Sequence, residues 1–362
     1  MQLLAGTRIL ELCHAPSAPG VRLAASLAGK IAADLGAEVL KIEPPEGDCV
    51  RRMPPFLGDG KKEPRSALFE FLNTGKTIAR RAADEKRAPA SEAFDLIVLE
   101  ENEPARAAME KAGASIVEIA MTPKDAPWGA RLSEFNILAL SGLLDMVGDP
   151  ARAPLRLGGH QAAYAAGLSA FSALMAALAL REGGRAPPPA RVSLLETMIW
   201  VNWKAAAGAF DSGRSPTRQG PKADFQVLAC KDGWIAVIYT LTQFDNLAAL
   251  VGDPELLTQF GDRRARKAGA EALFARLAPW FAARTREEIY AAARAAGVPL
   301  GPIYAPAELL EDAQYQARGF IVALEEGLAA PRLPALWNGQ AFLPRRRREI
   351  PFEEALTWRA QP

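Results

Sequence analysis

Two histidines, His14 and His160, and three cysteines, Cys13, Cys49 and Cys230, are all the sequence offers for imidazole or thiol chemistry. The cysteines form no C-x-x-C pair, so neither a structural zinc site nor a disulfide framework is encoded. Two histidines also exclude a multi-histidine metal centre, and no metal ligand is expected anywhere. Phosphate-cradling and hydrolytic signatures are missing as well: there is no G-x-x-x-x-G-K, no G-x-S-x-G and no H-E-x-x-H. One acid stands where chemistry is conceivable, Glu43 at the end of a strand-like run, the place from which a carboxylate holds a ribose hydroxyl of a dinucleotide. The preceding loop, His14 to Gly20, carries Pro16, Pro19 and Gly20 instead of G-x-G-x-x-G. No glycine turn therefore brings a helix start against a pyrophosphate, and an NAD-dependent oxidoreductase is only a remote alternative. Four consecutive arginines, Arg345 to Arg348, read as a solvated basic turn.

The elements that must position any site divide the chain in two. Its 362 residues exceed one ordinary core, and 43 Lys+Arg against 42 Asp+Glu leave a net charge of +1. Charge-driven binding to nucleic acid or to a membrane surface is not expected from that balance. No basic-then-apolar leader opens the sequence and no uninterrupted apolar run reaches about 20 residues, so a cytoplasmic protein is expected. Thr7 to Cys13, Ala37 to Glu43, Asp95 to Leu99 and Ala114 to Met121 read as buried strands. Leu23, Leu27, Ile31 and Leu35 recur at helical spacing between the first two. Such alternation predicts an α/β fold, a Rossmann-like large domain with a parallel sheet. Gln161 to Arg181 predicts a small-residue helix packed on several sides. Residues 1–210 form the first part of the large domain and 211–224, polar and rich in Gly and Pro, a linker. Residues 225–296 form a smaller α+β domain opened by a hairpin at Lys231-Asp232-Gly233. Residues 297–320 read as a second linker and 321–362 as a return to the large domain.

A set of ordered segments resembles the family III CoA-transferases, the group of formyl-CoA and carnitine CoA-transferases and 2-methylacyl-CoA racemase. They are Arg8-Ile-Leu-Glu-Leu12, Ala33-Asp-Leu-Gly-Ala-Glu-Val-Leu-Lys-Ile-Glu-Pro-Pro-Glu-Gly-Asp48 with Arg51, and Phe71-Leu-Asn-Thr-Gly-Lys76. Glu101-Asn102, Ala139-Leu-Ser-Gly-Leu143, Gly148-Asp149-Pro150 and Pro154-Leu-Arg-Leu-Gly-Gly159 continue the match. Val192-Ser-Leu-Leu-Glu196, Cys230-Lys-Asp-Gly-Trp234 and Gly297-Val-Pro-Leu-Gly-Pro302 complete it. Each piece is weak alone; their order and spacing are specific.

The resemblance implies an interlocked-ring homodimer, with a heteromer containing a related subunit as the other assembly. It implies no permanently bound cofactor, coenzyme A or an acyl-CoA as substrate, and a small carboxylic acid as partner. Lys41, Asn73, Lys76 and Asn102 fall in segments that contact CoA in relatives, and Arg51, Arg80 and Arg81 lie close by. Family transferases use an aspartate at the start of the helix after the Gly-Gly segment as a nucleophile, forming an acyl anhydride and then an aspartyl-CoA thioester. Here that position is His160 or Ala163, so no carboxylate stands there. The racemase branch instead uses a His-Asp pair before the Ala-Leu-Ser-Gly segment, which aligns with Ser133-Glu134. Glu134 is then the surviving base and His160 its partner acid across the α-carbon of a thioester. Glu134 serves equally as a first-turn acid behind the helix cap Ser133. The implied functions are transfer of CoA between carboxylic acids, chemistry at the α-carbon of an acyl-CoA, or a non-catalytic CoA-binding subunit that pairs with an active relative.

Overall fold

A computed structural model describes residues 2–13, 17–58, 65–85, 87–127, 132–214, 218, 225–325 and 328–358. Two compact units divide the chain, residues 1–215 with 319–362, and residues 216–318. In the large unit we label β1 (Arg8–Leu12), α1 (Pro19–Asp34), β2 (Glu38–Glu43), α2 (Ala67–Leu72), β3 (Thr77–Arg80), β4 (Leu96–Glu100) and β5 (Ile116–Ala120). After these come α3 (Glu134–Leu140), α4 (Gln161–Glu182), β6 (Ala190–Ser193), α5 (Leu194–Val201) and β7 (Arg348–Ile350). The strands form one sheet in the order β7-β3-β2-β1-β4-β5-β6, with every pairing parallel. Helices cover both faces of such a sheet, so its central strands carry continuous apolar runs in place of alternation. Accordingly β4 and β5 are buried at every position.

Strand order reverses between β1 and β4, because crossovers to the β2 side and to the β4 side lie on opposite faces. The loops leaving β1 and β4 diverge there and open a crevice at the carboxyl ends of the strands. α1 forms one wall. Pro19 starts it at a position where a missing N–H costs nothing, and Gly36, at φ +107°, turns the chain out of it. Nearly all of its residues are buried, since it packs between the sheet and α4. The crossing with α4 is close because Gly167 has no side chain: a Cβ there would stand 2.9 Å from both the Ala24 carbonyl oxygen and Leu27 Cβ. Gly167→Ala is therefore expected to cost about 1–3 kcal/mol by overpacking. Urea denaturation of the variant checks this, and unchanged stability would mean that the two helices separate freely.

α4 corrects one expectation. Its 22 residues are long and apolar enough, by length and composition, to cross a membrane. One face, Ala163, Ala166, Gly167, Ala170 and Leu174, is buried within the large unit while residues such as Leu168 stay exposed, so the helix packs on one face and not on several sides as expected. The arginine run is a second correction. Arg348 begins the edge strand β7, and its neighbours are held, Arg347 by Glu70 at 2.9 Å, Arg346 by Glu325 at 2.8 Å and Arg345 by the Ala33 carbonyl at 3.0 Å. The run is an irregular lead-in to the edge strand and not a turn, tied to the unit at these three points while Arg345, Arg346 and Arg348 stay exposed.

The small unit has the expected hairpin, Phe225–Cys230 against Gly233–Ile238, around Lys231 and Asp232. Its core is Ile235, Val237, Phe244, Leu247, Leu273, Phe281 and Ile289. Residues 297–318, read as linker, belong to this unit: Gly301–Pro302 pairs with Ile235 and Ala236 as a third strand. In the 211–224 segment the helix Trp203–Ser212 runs on to Gly213, and residues 215–217 and 219–224 lie outside the described residues.

Candidate functional site

The crevice holds a cavity of about 1030 Å³. Ser17 to Pro19 at the start of α1, Glu101 and Asn102 after β4, Met121 to Ala126 after β5, and Leu132 and Ser133 before α3 line it, with Arg106, Glu110, Glu118 and Arg191. Asn102 at φ +67° and Asp125 at φ +62° hold left-handed backbone, which Asn and Asp tolerate better than other side chains. Arg106 bonds Glu110 at 2.8 Å and also pairs with Glu118. Arg191 shares Glu118 and lies 3.6 Å from Glu101.

Ser133, on the crevice wall, caps α3: its hydroxyl accepts from the Asn136 N–H, and the Asn136 side chain accepts from the Ser133 N–H at 2.9 Å. Glu134 is thus the first residue of α3, as a capping acid would be. Its carboxylate turns to the start of α4, where Oε1 accepts from the Ala163 N–H at 3.1 Å and Oε2 lies 2.9 Å from His160 Nδ1. A carboxylate there satisfies a donor that α4 cannot pair internally, and the helix dipole favours its charge. Tyr164 packs edge-on to the His160 ring, with centroids 6.2 Å apart. Burial, with the Glu134 charge adding to it, pushes the Tyr164 phenol up, so it stays a hydrogen-bond donor at neutral pH. Glu134 and His160 are in direct contact, so they do not face each other across a substrate carbon as an acid–base pair would.

Of the residues expected to touch CoA, the structure places only Asn102 on the crevice. Lys41, Asn73 and Lys76 are enclosed, at 0%, 0% and 1% exposure. This corrects the expectation for them: Lys41 on β2 and Lys76 just before β3 are neutralised inside the unit and present no charge to a ligand. Lys41 Nζ reaches Glu11 at 3.0 Å, Asp48 at 2.5 Å and Ser26 Oγ at 2.8 Å. Lys76 Nζ reaches Glu11 at 2.7 Å and the Ser26 carbonyl at 2.8 Å. Arg22 joins them through Asp48 at 3.3 Å and through Glu100. Asn73 donates to the Phe69 carbonyl at 2.9 Å. Arg51 is half-buried, bonded to both Glu43 oxygens at 3.0 Å and to Glu349 at 2.8 Å, above the Phe69 ring. Glu43 is fully taken up by Arg51, with Arg80 3.6 Å away, so no acid is left to hold a ribose and the dinucleotide reading loses its one support.

Sequence reasoning missed Glu11, Arg22, Ser26, Asp48 and Glu100, and on the crevice Arg106, Lys124 and Arg191. A signal was present for the first group. Glu11 interrupts the strand run Ile-Leu-Glu-Leu, and a charge inside a buried run needs an opposite charge inside as well.

The model of CoA-transferase family III matches residues 4–95 and 118–351. The chain belongs to that family and is a CoA-transferase-like enzyme. The succinyl-CoA:mesaconate CoA-transferase of Haloarcula marismortui is 23% identical over 354 residues, 90% of this chain and 86% of that one. The acetyl-CoA:oxalate CoA-transferase of Acetobacter aceti is 28% identical over 360 residues, 92% and 89% of the two chains. Among solved structures, a CAIB/BAIF family protein from Brucella suis superposes with a TM-score of 0.80 at 26% identity, over 98% of this chain and 97% of that one.

Proposed function

We propose that this enzyme transfers CoA from an acyl-CoA to a free small carboxylic acid, with Glu134 as the reacting carboxylate. The observation that carries the reading is the position of that carboxylate. Family transferases keep theirs on the first turn of the helix after Gly-Gly; here α3 delivers one to the same turn, against the Ala163 N–H. A Glu134 oxygen attacks the thioester carbonyl, the C–S bond breaks, and CoA leaves as thiolate from an acyl–glutamyl anhydride. The thiolate attacks the glutamyl carbonyl and releases the donor as its carboxylate. The acceptor carboxylate then repeats both steps in reverse order and restores Glu134, with no net proton or electron consumed. CoA enters and leaves as substrate, and no resident cofactor takes part. His160 holds the second Glu134 oxygen and is a positioning residue.

Relatives named for mesaconate and oxalate support a small acid as the partner. The resemblance further supports an interlocked pair of copies. Trp200, Trp203 and Phe210, at 75%, 63% and 96% exposure, are large apolar side chains left open to solvent, as a second subunit would cover.

The test is to incubate the protein with acyl-CoAs and isotopically labelled free acids in deuterium oxide and follow both label and deuterium by mass spectrometry. CoA appearing on the labelled acid, with no deuterium at the α-carbon, is the expected result. Deuterium uptake without exchange overturns the transfer reading in favour of α-proton chemistry. His160→Ala is expected to lower kcat by about 10²-fold while leaving the KM for acyl-CoA within about twofold, and His160→Asn to recover part of the loss.

A further inference from the structure

We propose that Lys124, on the turn after β5, is the anion anchor of the crevice and grips a negatively charged group of the CoA thioester. This rests on the reading above only in placing a CoA ester in the cavity. Among the described residues three cations line that cavity, and two of them are already neutralised. Arg106 is paired with Glu110 and Glu118, and Arg191 with Glu118, with Glu101 close by. Lys124 lines the same cavity, is exposed, and has no hydrogen-bond or ion-pair partner among the described residues.

Around it the lining is rich in acid. Among the described lining residues Glu101, Glu110, Glu118 and Asp125 outnumber the cations, so a phosphate or carboxylate entering the cavity meets repulsion except where a free cation stands. The backbone gives an independent pointer to the same place. Of the three non-glycine residues with left-handed backbone among those described, Asn102 and Asp125 both line this cavity, and Asp125 comes directly after Lys124. Residues held in sparsely populated conformations gather at ligand clamps, where the surrounding structure fixes them. A lysine ammonium is a point charge with three rotatable donors and suits either of the two anions a CoA ester brings, its phosphates or a terminal carboxylate on the acyl group.

The experiment is calorimetric binding of succinyl-CoA, butyryl-CoA and succinyl-pantetheine to the wild type, Lys124→Met and Lys124→Arg, read without turnover. Lys124→Met is expected to weaken binding about 10- to 100-fold, and Lys124→Arg to keep most of the affinity. Weakening of both CoA esters with the pantetheine ester unaffected makes the phosphates the anion. Weakening of the two succinyl esters alone makes it the acyl carboxylate. Unchanged affinity of Lys124→Met for all three overturns the proposal, as does equal loss in Lys124→Arg. A wild type that binds none of the esters overturns it together with the placement of CoA in the crevice. A wild type that binds them, is weakened by Lys124→Met, and yet exchanges no CoA supports the anchor and sinks the transfer reading alone.

Discussion

Glu134→Gln is expected to lower the rate of CoA transfer by about 10⁴-fold or more while leaving the fold and the affinity for acyl-CoA in place. Glutamine has the shape of glutamate, and its amide oxygen can still accept from the Ala163 N–H that now holds Oε1 at 3.1 Å. What it lacks is the negative oxygen that attacks the thioester, so the loss falls on kcat. Trapping provides a second readout. Borohydride added during turnover should reduce a glutamyl-CoA thioester to the alcohol, and peptide mapping should place the modified residue at 134. A rate within tenfold of wild type, or a trapped adduct on another residue, would remove Glu134 from the mechanism. Family membership would stand in either case, since it rests on residues 4–95 and 118–351 and not on this side chain.

The second large effect is on stability. Glu11→Ala should cost about 3–5 kcal/mol, because it leaves the ammonium groups of Lys41 and Lys76 buried without the carboxylate they share. The site has little room for rearrangement. Gly29 of α1 lies so close that a Cβ there would stand 2.5 Å from Glu11 Oε2. Chemical denaturation measures the loss, and the double variant Glu11→Leu with Lys76→Met should regain most of it, since a paired deletion leaves no lone charge. A single variant as stable as wild type would show that water reaches the cluster.

The same cluster sets a pH dependence. Burial raises the Glu11 carboxyl, but Lys41 and Lys76 outweigh it and hold the group at about 2 against an ordinary 4.5. Asp48, raised by burial and lowered more strongly by Lys41 and Arg22, is held at about 2 against 3.8. Carboxyls depressed on folding stabilise fully above their unfolded values, and that contribution is lost as pH falls from about 4.5 towards 2. Glu100 opposes this, since burial raises it despite Arg22. Lys76 acts at the alkaline end: burial, against the pull of Glu11, lowers it to about 8 from 10.5, so its cost to folding is relieved as pH rises across that interval.

Much of the large unit is legible in the sequence because apolar runs of five or six residues separated by helical periodicity have one stable solution, a parallel sheet covered on both faces. β1, β2 and β5 lie within the strands read from the sequence, β4 runs one residue past its expected end to Glu100, and α1 ends before Gly36 but starts earlier than its apolar periodicity, at Pro19 in the stretch read as a loop. β3 and β7 leave no readable pattern. They are four and three residues long, and β7 starts at the last arginine of the run, where charge obscures a strand whose partners are over 260 residues away in sequence.

The order of residues alone suffices for the family, for the alternation that builds the sheet, and for the absence of a carboxylate at His160 and Ala163. Local pattern and motif order carry that information, because each depends on residues a few positions apart. What the charged residues do is a property of the folded chain. Lys41 and Lys76 read as ligand contacts in the sequence and are enclosed, while Lys124, which carries no motif, lines the cavity with no partner among the described residues. Glu134 lies 29 residues before the helix N–H that it satisfies. The free energy of a charge is set by the dielectric and by the opposite charges within a few ångströms, and those neighbours come from segments far apart in the chain.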